Sequence, residues 1–354
     1  MMFGIDRSVE LERKFIINNT AMLYQNVFNP LFFTIDPENC HRKLARLLKL
    51  YGSVSPLRHI FRKSYLVQNP FRFQNLVFRN RVGLSAGFDK EAQIFDQLSD
   101  FGFAFVEVGT ITPSPQKGNP CPRIFRAPED ESLIARTGFN NPGMDVAFER
   151  ISKGRKHSYV LGANINKDAD SAGLETVKDF EKVFSRLYDV IDYFTIDWGS
   201  ISAEAMEQVL CRLTDLRARR SKQRALFLKL PADVSEEVLD QVIALATRYG
   251  LQGFIATGPT ASREGLKKIS PKTLEHIGGG QVSGKGIGSR SRNVVRYLHS
   301  HIGKDMIIIG AGNVMTPEDA EKMIGAGADL VAIYSAFIYN GPGIVKKMNR
   351  RLIH

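Results

Sequence analysis

The chain lacks the marks of several protein classes. Its 354 residues include only three cysteines and one tryptophan. Cys40, Cys121 and Cys211 share no C-x-x-C or metal-type spacing, which excludes a disulfide scaffold and makes a reducing compartment the expectation. No run of 18 apolar residues occurs, so no membrane-spanning helix is expected. The start, Met1 to Lys14, is charged and has no apolar core of a secretory signal. There is no H-E-x-x-H, the seven histidines are scattered, and no metal site is expected. Gly284-Lys285-Gly286-Ile287-Gly288 and Gly310-Ala311-Gly312 both fall short of G-x-G-x-x-G, and neither follows the first strand. A dinucleotide fold is disfavoured.

What is present is an ordinary globular composition, 43% hydrophobic and 24% charged, with a formal charge of +11. Residues 1–80 hold 12 Lys/Arg against 5 Asp/Glu, so most of the basic excess sits at one end. That asymmetry points to an acidic partner, anionic lipid or nucleic acid. No basic-aromatic interleaving on a sheet supports nucleic acid, and none is expected as a partner. Residues 1–65 read as a basic amphipathic helical extension. Asp36-Pro37 supplies an N-cap and an N1 proline. The helix that follows carries Leu44, Leu47, Leu48 and Tyr51 on one side, with Arg42, Lys43, Arg46 and Lys49 between them. Two readings stay open for this unit: a cap on a larger domain, or a peripheral membrane contact.

Residues 66–354 change pattern to short apolar runs alternating with amphipathic helices. The runs are Val82–Ala86, Phe103–Gly109, Tyr159–Asn164, Tyr193–Asp197, Ala225–Leu230, Gly253–Thr257, Met306–Gly310 and Leu330–Tyr334. Thr316-Pro317-Glu318-Asp319 opens one helix with a cap and an acidic first turn. Eight such runs predict an α/β fold, a (β/α)8 TIM barrel, whose parallel strands are buried on both faces.

In such a barrel the chemistry collects where the strands end. Those ends hold Ser85-Ala86-Gly87 and Lys90, Thr110, Asn164, Asp197 with Ser200 and Ser202, Lys229, Thr257, Gly312-Asn313, and Tyr334-Ser335. The glycine-rich turns after the last two strands, with Ser283-Gly284 just before, suit an anion held by backbone amides. Lys90 and Lys229 need partners in a barrel mouth. An electron-rich cofactor ring is one; ion pairs such as Lys90 with Asp89 or Glu107 are the other.

The motifs GLSAGFDKEAQIFDQLSDFGFAFVEVGTITPSPQKGNPCPRIFRAPEDESLIARTGFNNPGMD, LPADVSEE, IATGPTASREGL, the SGK segment at Ser283, and LVAIYSAFIYNGPG resemble the class 2, quinone-linked dihydroorotate dehydrogenases over nearly the full chain. The resemblance implies a barrel holding FMN and an N-terminal helical pair that docks on a membrane, at its cytoplasmic side, and admits quinone as electron acceptor. It implies FMN contacts at Ala86, Gly87, Lys90, Thr110, Asn164, Asp197, Lys229, Thr257, Gly284, Gly312, Asn313, Tyr334 and Ser335, with Asn313 standing where the family has a glycine. It makes Ser200 the catalytic base.

The same resemblance places the substrate against Lys90, Ala135, Arg136, Thr137, Gly138, Phe139, Ser202, Gly258 and Pro259. Here the chain departs from the family. The asparagines that hold orotate appear as Ala135, Asp197, Ser202 and Gly258, with Pro259 for a threonine, Ile201 for a proline and Ala203 for the relay threonine. Each lost buried hydrogen bond costs about 1–3 kcal/mol, against about 8 kcal/mol for a whole micromolar complex. The leading expectation is therefore an FMN-dependent enzyme acting on a carbon–carbon bond of a substrate other than dihydroorotate. An authentic dihydroorotate dehydrogenase of pyrimidine biosynthesis is the alternative, and a non-catalytic, membrane-docked flavin protein is the third.

Overall fold

The computed structural model describes Tyr24 and residues 29–154, 159–199 and 201–353. Met22, Leu23, Val27 and Phe28 lie outside the described residues, as does Ser200.

Three helices come first: α1 (Asn29–Phe33), α2 (Pro37–Gly52) and α3 (Ser55–Tyr65). The Asp36 carboxylate accepts the Asn39 amide at 2.9 Å and Pro37 opens α2, as the sequence predicts. The buried side of α2 is Ala45 and Leu48, with Leu44 and Tyr51 packed beside them. Leu47, expected on that side, is 59% exposed. At 100° per residue it lies about 130° from the centre of a face formed by Ala45 and Leu48, and Leu50 lies nearly opposite that centre. Helix α3 buries Arg58 and Tyr65, with Phe61 packed beside Tyr65, while Leu57 and Ile60 are exposed.

A hairpin of β1 (Phe71–Phe73) and β2 (Leu76–Phe78) leads into the barrel. Its strands are β3 (Val82–Asp89), β4 (Phe105–Ile111), β7 (Val160–Ile165), β8 (Tyr193–Asp197), β9 (Ala225–Leu230), β10 (Gly253–Ala256), β12 (Ile307–Ala311) and β13 (Leu330–Ile333). All pair in parallel and β13 returns to β3, closing the ring. Each of the eight apolar runs is one of these strands. Leu76 and Phe78 of the hairpin pack with Phe105, Tyr193, Phe227, Ile255 and Ile307, filling the barrel from its N-terminal end.

The remaining helices are α4 (Phe95–Leu98), α5 (Met144–Gly154), α6 (Leu174–Leu187), α7 (Ala203–Ala218), α8 (Glu236–Arg248), α9 (Pro271–Ile277), α10 (Arg290–His301), α11 (Pro317–Gly325), α12 (Ser335–Asn340) and α13 (Gly343–Arg351). Thr316 and Asp319 form a full capping box on α11. Where the sequence reading had only loops, β5 (Ile124–Ala127), β6 (Ser132–Ala135) and β11 (Gln281–Gly284) make a separate antiparallel sheet. That sheet ties the excursion after β4 to the segment before α10, and so fixes two distant rim segments to one another.

Candidate functional site

The C-terminal ends of the strands converge on one rim. Strand β3 loses register with β4 between Leu84 and Asp89, and β4 with β7 between Val108 and Ile111. Such irregularities re-aim side chains at barrel rims. At the first, Gly87 takes a φ of +98°, and the space a Cβ would fill there reaches only the Tyr334 ring, at 3.7 Å. An open face thus lies between Ala86-Gly87 and Tyr334.

Lys90 does not pair with Asp89 or Glu107. The Asp89 carboxylate accepts the Gln93 and Ile94 amides at 2.9 and 2.8 Å, and Lys90 donates to Asn140 Oδ1 at 3.3 Å. Burial, joined by the charge of Arg123, pulls the Lys90 ammonium down to about 8. Asn140 is a partner the sequence reading missed; its only signal was its place in the Thr137–Asn141 loop.

The inner wall is polar. Glu107 accepts from Tyr193 Oη at 3.1 Å and Thr195 Oγ1 at 2.8 Å. Asn164 Oδ1 accepts Thr110 Oγ1 at 2.7 Å, while Asn164 Nδ2 is buried and completes no hydrogen bond among the described residues, though it stands close enough to Asp197 to favour that carboxylate. Burial raises both Glu107 and Asp197 above the ordinary carboxylate range, and the charge of Lys229 works against it in each case. Lys229 and Asp197 are cross-strand neighbours in register.

On the far side of the rim, Thr257 bonds Ser291 through their hydroxyls at 2.6 Å. Ser291, buried on α10, is a second residue the sequence reading missed. Gly284 and Gly312 each have φ of +91° and Asn313 +53°, the left-handed region Asn tolerates better than most residues. The Asn313 side chain donates to Gly288 O at 2.8 Å. Ser283 and Ser335 hydroxyls lie 3.0 Å apart.

The expected substrate positions are less unified. Ala135 ends β6 and pairs with β11. Arg136 spends its guanidinium on the carbonyls of Ile277, Gly279 and Pro122. Thr137 and Gly138 lead to Phe139, which is 41% exposed with φ +51°. Ser202 is an exposed N-cap accepting the Ala205 amide at 3.3 Å. Gly258 donates its amide to Leu230 O at 2.7 Å, beside Pro259.

Helix α2 reaches this rim. His41 Nε2 lies 2.7 Å from Phe88 O, with the two rings edge to face at 5.4 Å.

A family model described as dihydroorotate dehydrogenase matches residues 70–354. The chain belongs to the dihydroorotate dehydrogenase family. Among its relatives, the dihydroorotate dehydrogenase (quinone) of Christiangramia forsetii is 34% identical over 94% of this chain and 99% of its own. That of Delftia acidovorans is 36% identical over 91% and 96%. The ligand-free DHODH structure from Eimeria tenella superposes with a TM-score of 0.76 at 29% identity, covering 90% of this chain and 94% of that one.

The chain is an FMN-dependent dehydrogenase of this type. The rim suits that group: an open face at Gly87, a buried amide nitrogen at Asn164 with no hydrogen bond among the described residues, and left-handed backbone at Gly284, Gly312 and Asn313. When bound, FMN supplies a two-electron sink, chemistry no side chain here provides.

Proposed function

We propose that the protein is a quinone-linked dihydroorotate dehydrogenase that oxidises a ring CH–CH bond at the C-terminal rim. Full-length relatives named dihydroorotate dehydrogenase (quinone) carry this reading, for substrate and acceptor alike. FMN would be held by Ala86, Gly87, Lys90, Thr110, Asn164, Asp197, Lys229 and Thr257, and by the turns at Gly284, Gly312, Asn313, Tyr334 and Ser335. Ser200, named by the resemblance, would exchange the carbon-bound proton.

Residues 1–65 would form the quinone and membrane side, peripheral and cytoplasmic. Leu31, Leu47, Leu50, Val54, Leu57 and Ile60 are exposed there among basic residues, and His41 links α2 to the rim, which supports this role. No helix among the described residues is long and apolar enough to cross a membrane.

A second reading, a less polar substrate, has one specific observation behind it. Ala135, Gly258 and Pro259 offer no side-chain hydrogen bond, and the Ser202 hydroxyl is engaged in capping. Anaerobic mixing with dihydroorotate separates the two. Bleaching of the flavin, followed by reoxidation with a short-chain ubiquinone, supports dihydroorotate as substrate. A flavin that dithionite bleaches and dihydroorotate does not favours the second reading.

A further inference from the structure

Four side chains from four consecutive strands form one band on the inner wall: Glu107 on β4, Asn164 on β7, Asp197 on β8 and Lys229 on β9. The band holds a single cation. Among the described residues Lys229 makes no ion pair within 4 Å, yet it is the cross-strand neighbour of Asp197, and its charge favours the ionised form of both Asp197 and Glu107. Glu107 is held by Tyr193 and Thr195. Asp197 has the Gly199 amide, and the Asn164 amide nitrogen stands close by.

Glu107 alone would balance Lys229 and leave the band neutral. With Asp197 ionised as well, the band carries an excess negative charge. A flavin that takes up two electrons and one proton becomes an anion, whereas its oxidised ring is neutral. Excess negative charge in a wall of low dielectric disfavours the anion and leaves the neutral ring nearly untouched.

We propose that Asp197 sets the reduction potential of the flavin bound at this rim, holding it below the value that a neutral amide at the same position would give. This rests on the flavin site proposed above. Asp197 makes the flavin harder to reduce and readier to pass its electrons on, so it tunes the balance between the two halves of the turnover without touching the reacting atoms.

The test is the midpoint potential of the bound FMN, measured by slow enzymatic reduction beside a reference dye at alkaline pH. Wild type is compared with Asp197→Asn, Asp197→Glu and the surface control Asp215→Asn. Asp197→Asn should move the potential upward by about 30 mV or more, a tenfold change for a two-electron couple. Asp197→Glu should stay near wild type, and so should Asp215→Asn. If Asp197→Asn sheds its flavin, the dissociation constants of oxidised and reduced FMN on the apoprotein give the same shift through the thermodynamic cycle. An unchanged or lower potential in Asp197→Asn overturns the inference while leaving the flavin site intact. Wild-type protein that binds no FMN overturns both.

Discussion

Arg58 on α3 and Asp100 are joined by a buried ion pair of 2.6 Å, which fastens the N-terminal helices to the barrel. Arg58 also reaches Asp96 at 2.8 Å, and Tyr51 on α2 donates to Asp100 at 3.1 Å. Removing one partner of such a pair leaves an uncompensated charge. Arg58→Ala should lower the unfolding free energy by about 3–5 kcal/mol in a denaturant titration. Arg62, a third of whose side chain is exposed at 3.0 Å from Asp100, should cost about 1 kcal/mol or less when truncated.

Lys90 gives a pH dependence with a definite sign. Its folded value, about 8, lies below its ordinary 10.5 because burial disfavours the ammonium. Between those values the unfolded chain binds more protons than the folded one, so stability rises with pH across that window. Lys90→Met should lack this rise. Denaturation midpoints at several pH values, for wild type and variant, measure the difference directly.

Asn164 should report the cofactor. FMN at a hundred times its dissociation constant should stabilise the wild type by about 2.7 kcal/mol. In Asn164→Ala the buried nitrogen proposed to meet FMN is gone. The FMN-induced rise in melting temperature should shrink at the same flavin concentration.

Ser200 is tested by Ser200→Ala. Loss of a positioned general base slows the proton-coupled step by about 10²–10⁴-fold. Stopped-flow reduction of the flavin by the substrate should slow by that order while FMN content stays unchanged. Wild-type kinetics across pH would remove Ser200 from the mechanism.

The exposed leucines and isoleucine of α2 and α3 predict vesicle binding. Leu50→Glu with Ile60→Glu should cut co-sedimentation with anionic vesicles severalfold. Wild-type binding should weaken as salt rises, since surface charge is screened over about 8 Å at physiological ionic strength. Binding to neutral vesicles as strong as to anionic ones would count against the basic contribution.

The barrel was legible because parallel strands buried on both faces leave unbroken apolar runs such as Leu226–Leu228 and Ile307–Ile309. The hairpin and the rim sheet were not, since Phe71–Phe73 and Gln281–Gly284 are too short and too mixed to show a period. The outward Leu47 escaped because a sequence gives the face of a helix only to within a residue or so. The strand-end residues of the mouth could be read from their positions alone. Asn140 and Ser291 could not, since each acts through a side chain reached only after the chain has folded back. The ion pairs proposed for Lys90 failed because Asp89 meets backbone amides first.

The hairpin wedged into the foot of the barrel makes the molecule a vessel with a stopper. Leu76 and Phe78 fill that end among the described residues, against a wall of Phe105, Tyr193 and Phe227. A flavin held at the rim as proposed would be reached across the opposite lip, the same lip that α2 touches at Phe88. Reductant and oxidant would then share one doorway, and they would either approach from different quarters of it or take turns.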